Sequence, residues 1–276
     1  MIDVKIQNEL RARYNPDGSQ LRTLQMNLLD ILVEFDRVCR KYGITYWLDS
    51  GSLLGAARHG GFIPWDDDID VCILRKDRKR LNKAMGQELG QGFTYVDADS
   101  SQGYTRRWAR VLNNNVYICR NIAKPGASGE TEVRKEHIWM DVFLETNGNP
   151  AVSKKLDYIY GRCHRRRFRQ IEDGKLKHLA GVCLYPFIKL LVWAARLWGN
   201  IFNRGNLIHD FGTGFYSQRR TDEVFPLGEI EFEGHSFKAP GKWDSYLKRI
   251  YGNWDTLPVN AYNHNIFEVY LTTGKQ

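Results

Sequence analysis

The run Asp66-Asp67-Asp68-Ile69-Asp70-Val71-Cys72-Ile73-Leu74 constrains this chain more than any other segment. It crowds carboxylates at the entrance to an apolar stretch of the length of one buried strand. Side chains two apart on a strand share a face, about 7 Å from each other. Asp68 and Asp70 on such a face repel, and burying both is costly unless a cation neutralises them. With no His or Cys at ligand spacing, the cation expected is hard and oxygen-loving, Mg²⁺ or Mn²⁺. Upstream, Ile44-Thr45-Tyr46-Trp47-Leu48 reads as another short strand, followed by Asp49-Ser50-Gly51-Ser52 and the apolar Leu53-Leu54-Gly55-Ala56-Ala57. A strand, a tight turn and a helix N-terminus in that order present backbone N–H groups to a phosphate, which singles out Gly51 and Ser52. An acidic triple alone is ordinarily a solvated turn. The strand after it and the Gly-Ser turn before it move the reading to a metal-assisted phosphate site.

A second carboxylate stands inside an apolar run, Asp141 in Ile138-Trp139-Met140-Asp141-Val142-Phe143-Leu144, and Glu145 at its end competes for the same role. Aspartate is rarely buried unless it is paired or metal-bound; the alternative is an exposed strand face. Leu21, Leu24, Leu28, Leu32, Phe35, Val38 and Cys39 recur at helical spacing, so a long amphipathic helix is expected to end at Tyr42-Gly43. Residues 75–92 read as another helix with a charged outer face. Arg107–Leu112 and Val116–Arg120 flank Asn113-Asn114-Asn115, a hairpin signal. Near the C-terminus, two strands meet at Glu233-Gly234, and a helix from Lys242 closes at Gly252.

The stretch from Tyr46 to Asp70, with Gly51-Ser52, Arg58-His59-Gly60-Gly61 and Pro64-Trp65-Asp66-Asp67-Asp68-Ile69-Asp70, resembles the LicD family within the DNA polymerase β nucleotidyltransferase superfamily. Phe225-Pro226-Leu227, Glu231-Phe232-Glu233-Gly234 and Tyr246–Gly252 are similar to the C-terminal part of that family, so the likeness brackets residues from 20 to 265. It implies an α/β (α+β) fold, a nucleotidyltransferase-like mixed sheet flanked by helices, in one catalytic domain over residues 1–276. The implied activity moves phosphocholine from CDP-choline to a hydroxyl of a glycan or lipid-linked glycan precursor, with release of CMP. Asp68, Asp70 and Asp141 would hold Mg²⁺ or Mn²⁺, with Asp141 alternatively accepting the hydroxyl proton. Gly51, Ser52, Arg58, His59, Trp65, Asp66, Asp67 and His264 would contact substrate, Arg58 against the charge of the leaving CMP. A phosphoalditol transferase using CDP-ribitol or CDP-glycerol, a true nucleotidyltransferase, and a membrane-docked scaffold that has kept the fold are the competing readings.

Residues 162–203 depart from this pattern. The basic run Arg162-Cys163-His164-Arg165-Arg166-Arg167-Phe168-Arg169 precedes an apolar stretch, 179–202, interrupted by Pro186, Lys189 and Arg196 and carrying Trp193 and Trp198. That combination suits a helix lying among lipid headgroups, docked on an anionic membrane; a buried helical insertion is the alternative. A net charge of +8 favours anionic partners. Nucleic acid is not expected, because the arginine run lacks interleaved aromatics for stacking bases. Five scattered cysteines without C-x-x-C spacing, and the lack of a signal-like N-terminus, place the chain in a reducing compartment, at the inner face of the cell membrane.

Overall fold

The computed structural model describes residues 2–98, 101, 104–123, 131–168, 175–258 and 267–271. Helix α1 (Val4–Tyr14) leads into α2 (Gln20–Tyr42), then β1 (Tyr46–Leu48), α3 (Ser50–His59) and β2 (Asp70–Leu74). There follow α4 (Arg78–Glu88), β3 (Phe93–Val96) and the two longest strands, β4 (Ala109–Ala123) and β5 (Thr131–Asn147). Two long helices come next, α5 (Pro150–Phe168) and α6 (Lys175–Phe202). The remainder is β6 (Asn206–His209), β7 (Arg219–Arg220), α7 (Thr221–Val224), β8 (Gly228–Phe232), β9 (His235–Ala239), α8 (Trp243–Tyr251) and β10 (Phe267–Leu271).

One mixed sheet organises these elements. Its path runs β1-β2-β5-β4-β10, with β3 also on β4 and with β6 and β7 extending from the end of β5. Strand β2 pairs with β5 in parallel, whereas β1–β2, β4–β5 and β4–β10 are antiparallel. The long amphipathic helix forms as its spacing dictates. Ser19 accepts the Arg22 amide at its N-terminus, and Gly43 takes the left-handed conformation (φ 60°) that closes its C-terminus. Its apolar stripe, Leu24, Leu28, Leu32, Phe35 and Val38, is at most 1 % exposed and lies in one core with Val111, Met140 and Val142 of the sheet. Each such side chain contributes about 1.5–3 kcal/mol. The sheet face bearing Val71, Ile73, Val142 and Leu144 is thereby sealed. The odd-numbered positions of β5 and even-numbered positions of β2 look the other way, among them Asp70 and Asp141.

Three expectations are corrected here. Strand β2 begins at Asp70, so Asp68 lies in the extended segment ahead of it and not on the strand. Asn113-Asn114-Asn115 is no hairpin turn: β4 runs through it, with a register shift between Asn113 and Tyr117. Asparagine side chains and neighbouring loops satisfy the amides that the shift unpairs. The Asn113 carboxamide oxygen accepts from Asn115 N (3.0 Å), and Asn114 N donates to the Gly92 carbonyl (2.7 Å). Arg162, the first residue of the basic run, sits within α5, which starts at Pro150. Helix α4 is shorter than residues 75–92, preceded by a 3₁₀ turn at Arg75–Asp77 and buried through Leu81, Ala84 and Met85. The C-terminal hairpin turns at Glu233 (φ 50°) and Gly234 (φ 79°), as that pair predicts.

Candidate active site

Parallel pairing of β2 with β5 sets Asp70 directly beside Asp141, and the Asp141 amide donates to the Ile69 carbonyl (2.9 Å). Antiparallel pairing on the other side of β5 sets Arg110 opposite Asp141, and its Nε donates to the Asp141 carboxylate (2.6 Å). The guanidinium lies 3.9 Å from the centroid of the Trp139 ring, which fixes its plane. Three adjacent strands thus carry one row, Asp70, Asp141 and Arg110.

The first turn of α3 docks against that row. Ser52 is buried, and its hydroxyl accepts the Asp70 amide (2.8 Å), so it fixes the start of β2. Asp49 N donates to the Asp70 carbonyl (3.1 Å) from the other strand. Ser50 is held at φ 48°, a left-handed conformation uncommon outside glycine. Gly51 allows a close approach: a Cβ there would lie 2.7 Å from Asp66 Oδ2. The Asp66 carboxylate therefore rests on the first turn of α3, where the helix dipole favours negative charge.

Carboxylate oxygens of Asp66, Asp67 and Asp68 lie within 4.8 Å of one another. A cleft of about 110 Å³ has Asp67, Asp68, Trp139 and Asp141 on its walls, so two members of the acidic triple share a cavity with the central-strand aspartate. Burial pushes the Asp70 carboxyl well above the usual range, and Asp68, Asp141, Asp49 and Asp66 push it further. Asp66 is raised in the same way, by burial and then by Asp68 and Asp67. Carboxylates gathered so that each destabilises the ionised form of the next are the donor set a hard divalent cation neutralises. The residues present fit Mg²⁺ or Mn²⁺.

Behind this row lies a buried ionic network that spacing along the chain does not reveal. Asp49, fully buried, accepts from Tyr246 Oη (2.5 Å) and Arg219 Nη2 (2.7 Å). Arg219 Nε donates to Tyr246 Oη (2.7 Å), and Nη2 also donates to His209 Nε2 (2.8 Å). His209 Nδ1 is 2.9 Å from Glu145 Oε1, and Arg219 Nη1 is 3.5 Å from the same oxygen. Burial alone would raise the Asp49 carboxyl, but Arg219, His209 and the Tyr246 hydroxyl outweigh it and hold it far below the usual range. Asp49, Cys72 and His209 stand close enough to share a metal, yet the Arg219 guanidinium already supplies the cation there. The network ties the residue preceding the Ser50-Gly51-Ser52 turn to α8 and β6. Glu145 belongs to it and does not compete with Asp141.

The other candidates fall into place differently. Arg58 is 5 % exposed and donates to the Trp254 and Thr256 carbonyls (3.1 Å each), so it anchors the segment after α8 rather than facing the acidic cavity. His59 bonds Gln7 (2.6 Å), and burial followed by the Arg58 charge lowers its pKa to about 3. Trp65 packs edge-on against Tyr14 and His59, a core contact with α1. His264 lies outside the described residues.

Residues 43–148 match the family described as LicD/FKTN/FKRP, nucleotidyltransferase domain. The chain carries a LicD-family domain. The matched span opens at the C-cap glycine of α2 and closes just after β5, so it holds the Asp66–Asp70 run, Asp141 and Arg110. Along 91% of its length the chain is 28% identical to the lipopolysaccharide cholinephosphotransferase LicD of Haemophilus influenzae, covering 98% of that protein. It is 52% identical over 61 residues to the human ribitol 5-phosphate transferase FKRP, a match covering 12% of that protein. An uncharacterized Rickettsia prowazekii protein, RP689, is 33% identical over 91 residues. The LicD-family likeness to the Haemophilus protein extends through α5, α6 and the C-terminal hairpin, beyond the matched domain.

Proposed function

We propose that the chain transfers a phosphoalcohol group, phosphocholine before others, from a CDP-linked donor to a glycan hydroxyl. The observation that carries this is the row Asp70–Asp141 with Asp66, Asp67 and Asp68 at its mouth, in a chain similar over nearly its whole length to a cholinephosphotransferase. Asp68, Asp70 and Asp141, with Asp66 beside them, hold the divalent cation. Bound there, Mg²⁺ or Mn²⁺ supplies charge neutralisation to the phosphate oxygens of an in-line displacement. The acceptor oxygen bonds to the phosphorus bearing the choline, the bond from that phosphorus to the bridging oxygen breaks, and CMP departs. Asp141, the carboxylate on the central strand, receives the acceptor proton or completes the cation site, and Arg110 fixes its orientation. Ser52 and Gly51 set the position of Asp70 and Asp66.

The same reading places the chain against the inner face of the cell membrane. Helix segment His178–Phe202 is long and apolar enough to cross a bilayer, but only 22% of its most apolar window is buried. Phe187, Leu190, Leu191, Trp193, Trp198 and Phe202 are exposed. Its other face is fastened to the protein: Tyr185, Ile188 and Val192 are buried against Tyr160 and Ile208, and Arg196 makes a two-pronged pair with Asp210 (2.8 and 2.9 Å). A helix bound along one side and apolar on the other suits the headgroup layer better than a span. A lipid-linked acceptor would then be presented at the surface on which the protein rests.

Thermal-shift titration with CDP-choline, CDP-ribitol, CDP-glycerol and CTP, with and without Mg²⁺, tests the donor. CDP-choline should stabilise most, and more with the cation than without it; preferential stabilisation by CTP would favour nucleotidyl transfer. Asp70→Asn should retain under about a tenth of the rate, since metal ligands supply several kcal/mol to the transition state.

A further inference from the structure

We infer that a second cavity, separated from the acidic cleft by Arg110, is a subsite for a phosphate ester. The inference rests on the transferase reading only for the identity of its natural ligand. The cavity holds about 380 Å³ and is walled by Arg106, Arg107, Arg110, Arg134 and Glu136 of the sheet side and by α5 at Gly161 and His164. Four guanidiniums meet two carboxylates: Arg110 pairs with Asp141 (2.6 Å) and Arg134 with Glu136 (3.1 Å). Among the described residues, Arg106 and Arg107 have no carboxylate partner, and the buried Nε of Arg107 has no hydrogen-bond partner. Both are held in place by rings instead, Arg106 near Trp108 (5.2 Å) and Arg107 near Tyr160 (4.8 Å).

Such an arrangement is unfavourable without a ligand. Burial and the neighbouring Arg110 lower the Arg106 pKa from its ordinary value. A planar guanidinium with a free N–H edge binds phosphate oxygens in two-pronged fashion, and a buried donor without a partner gains most from one. The position sets the ligand class. Arg110 lines this cavity and pairs with Asp141 of the acidic cleft, so a phosphate here lies one side chain from Asp141. The opposite wall is α5, half of the helical hairpin with the exposed apolar face. A phosphate at this place belongs either to the donor diphosphate or to a phosphorylated glycan acceptor arriving from the membrane side.

Binding measured in EDTA separates this site from the cation site, since no metal then bridges to phosphate. Calorimetric titration of the full chain with inorganic pyrophosphate, CMP and glucose 1-phosphate should detect binding that falls about tenfold or more in Arg107→Gln and in Arg106→Gln. Arg106 is exposed enough that its substitution leaves folding intact if Arg107→Gln does not. Losing CMP affinity with glucose 1-phosphate unaffected assigns the site to the donor; the reverse assigns it to the acceptor. Unchanged affinity for all three ligands in a folded Arg106→Gln protein, or no binding to the wild type, overturns the inference. Intact anion binding without any CMP release would instead count against the transferase reading alone.

Discussion

Replacing Arg219 by Met tests whether the buried network holds the active-site turn. Arg219 is 2% exposed in its side chain and lies between Asp49 and Glu145, both fully buried. Met keeps much of the volume and removes the charge, leaving two carboxylates in the interior with His209 and the Tyr246 hydroxyl as remaining partners. Removing one member of a buried ion pair costs about 3–5 kcal/mol. For a chain of this size that corresponds to a fall in melting temperature of roughly 6–20 °C. Arg220→Met is the control: its side chain is 51% exposed and pairs with an exposed Asp222, so the cost should be at most about 1 kcal/mol. The sign of the pH dependence follows from Asp49, whose folded pKa lies below the unfolded 3.8. Its stabilisation is fully present above that value and is lost as pH falls through the folded pKa, so the gap between wild type and Arg219→Met should narrow in acid. Circular-dichroism melts between pH 7 and about pH 2 read both effects. A melting temperature for Arg219→Met within about 1 °C of wild type at pH 7 would refute the role given to the network.

Gly51→Ala should leave the melting temperature unchanged or slightly raised, because Ala favours a helix by about 1 kcal/mol, while displacing Asp66 through the 2.7 Å clash. Mn²⁺ affinity followed by electron paramagnetic resonance should drop about tenfold or more; an unchanged affinity would detach Asp66 from the cation site. Replacing Trp193 and Trp198 by Ala should weaken the salt-resistant part of binding to anionic liposomes and leave turnover of a soluble acceptor near normal. Wild-type protein that ignores such liposomes at low salt would make α6 an ordinary structural helix.

What was legible in the sequence was local. The apolar stripe of α2, its Gly43 stop and the Glu233-Gly234 turn follow from periodicity and backbone preference, and each stands where expected. Asp141 was readable as a lone charge in an apolar strand and Asp70 as one of a carboxylate pair at the start of another, because burying carboxylates without a partner is too costly to be incidental. The asparagine triple misled, since the residues that favour a turn also satisfy a bulge. Arg58 and Trp65 lie inside the motif but point into packing with the C-terminal segment and α1, a choice made by tertiary contacts. Arg219, His209 and Tyr246 gave no signal because their partner, Asp49, is more than a hundred residues away in the chain. Arg107 and Arg110 fall in an expected strand, and nothing along the sequence signals that α5 folds over them or brings Arg106 alongside.

The most direct measurement follows the phosphorus. Phosphorus-31 NMR of CDP-choline incubated with the protein, Mg²⁺ and lipopolysaccharide stripped of phosphocholine should show the diphosphate signals replaced by CMP and a new phosphodiester on the glycan. Asp70→Asn and Asp141→Asn should leave the donor intact. Conversion that proceeds equally in those variants, or a wild type that releases pyrophosphate from CTP while leaving CDP-choline untouched, would contradict phosphoalcohol transfer at this site.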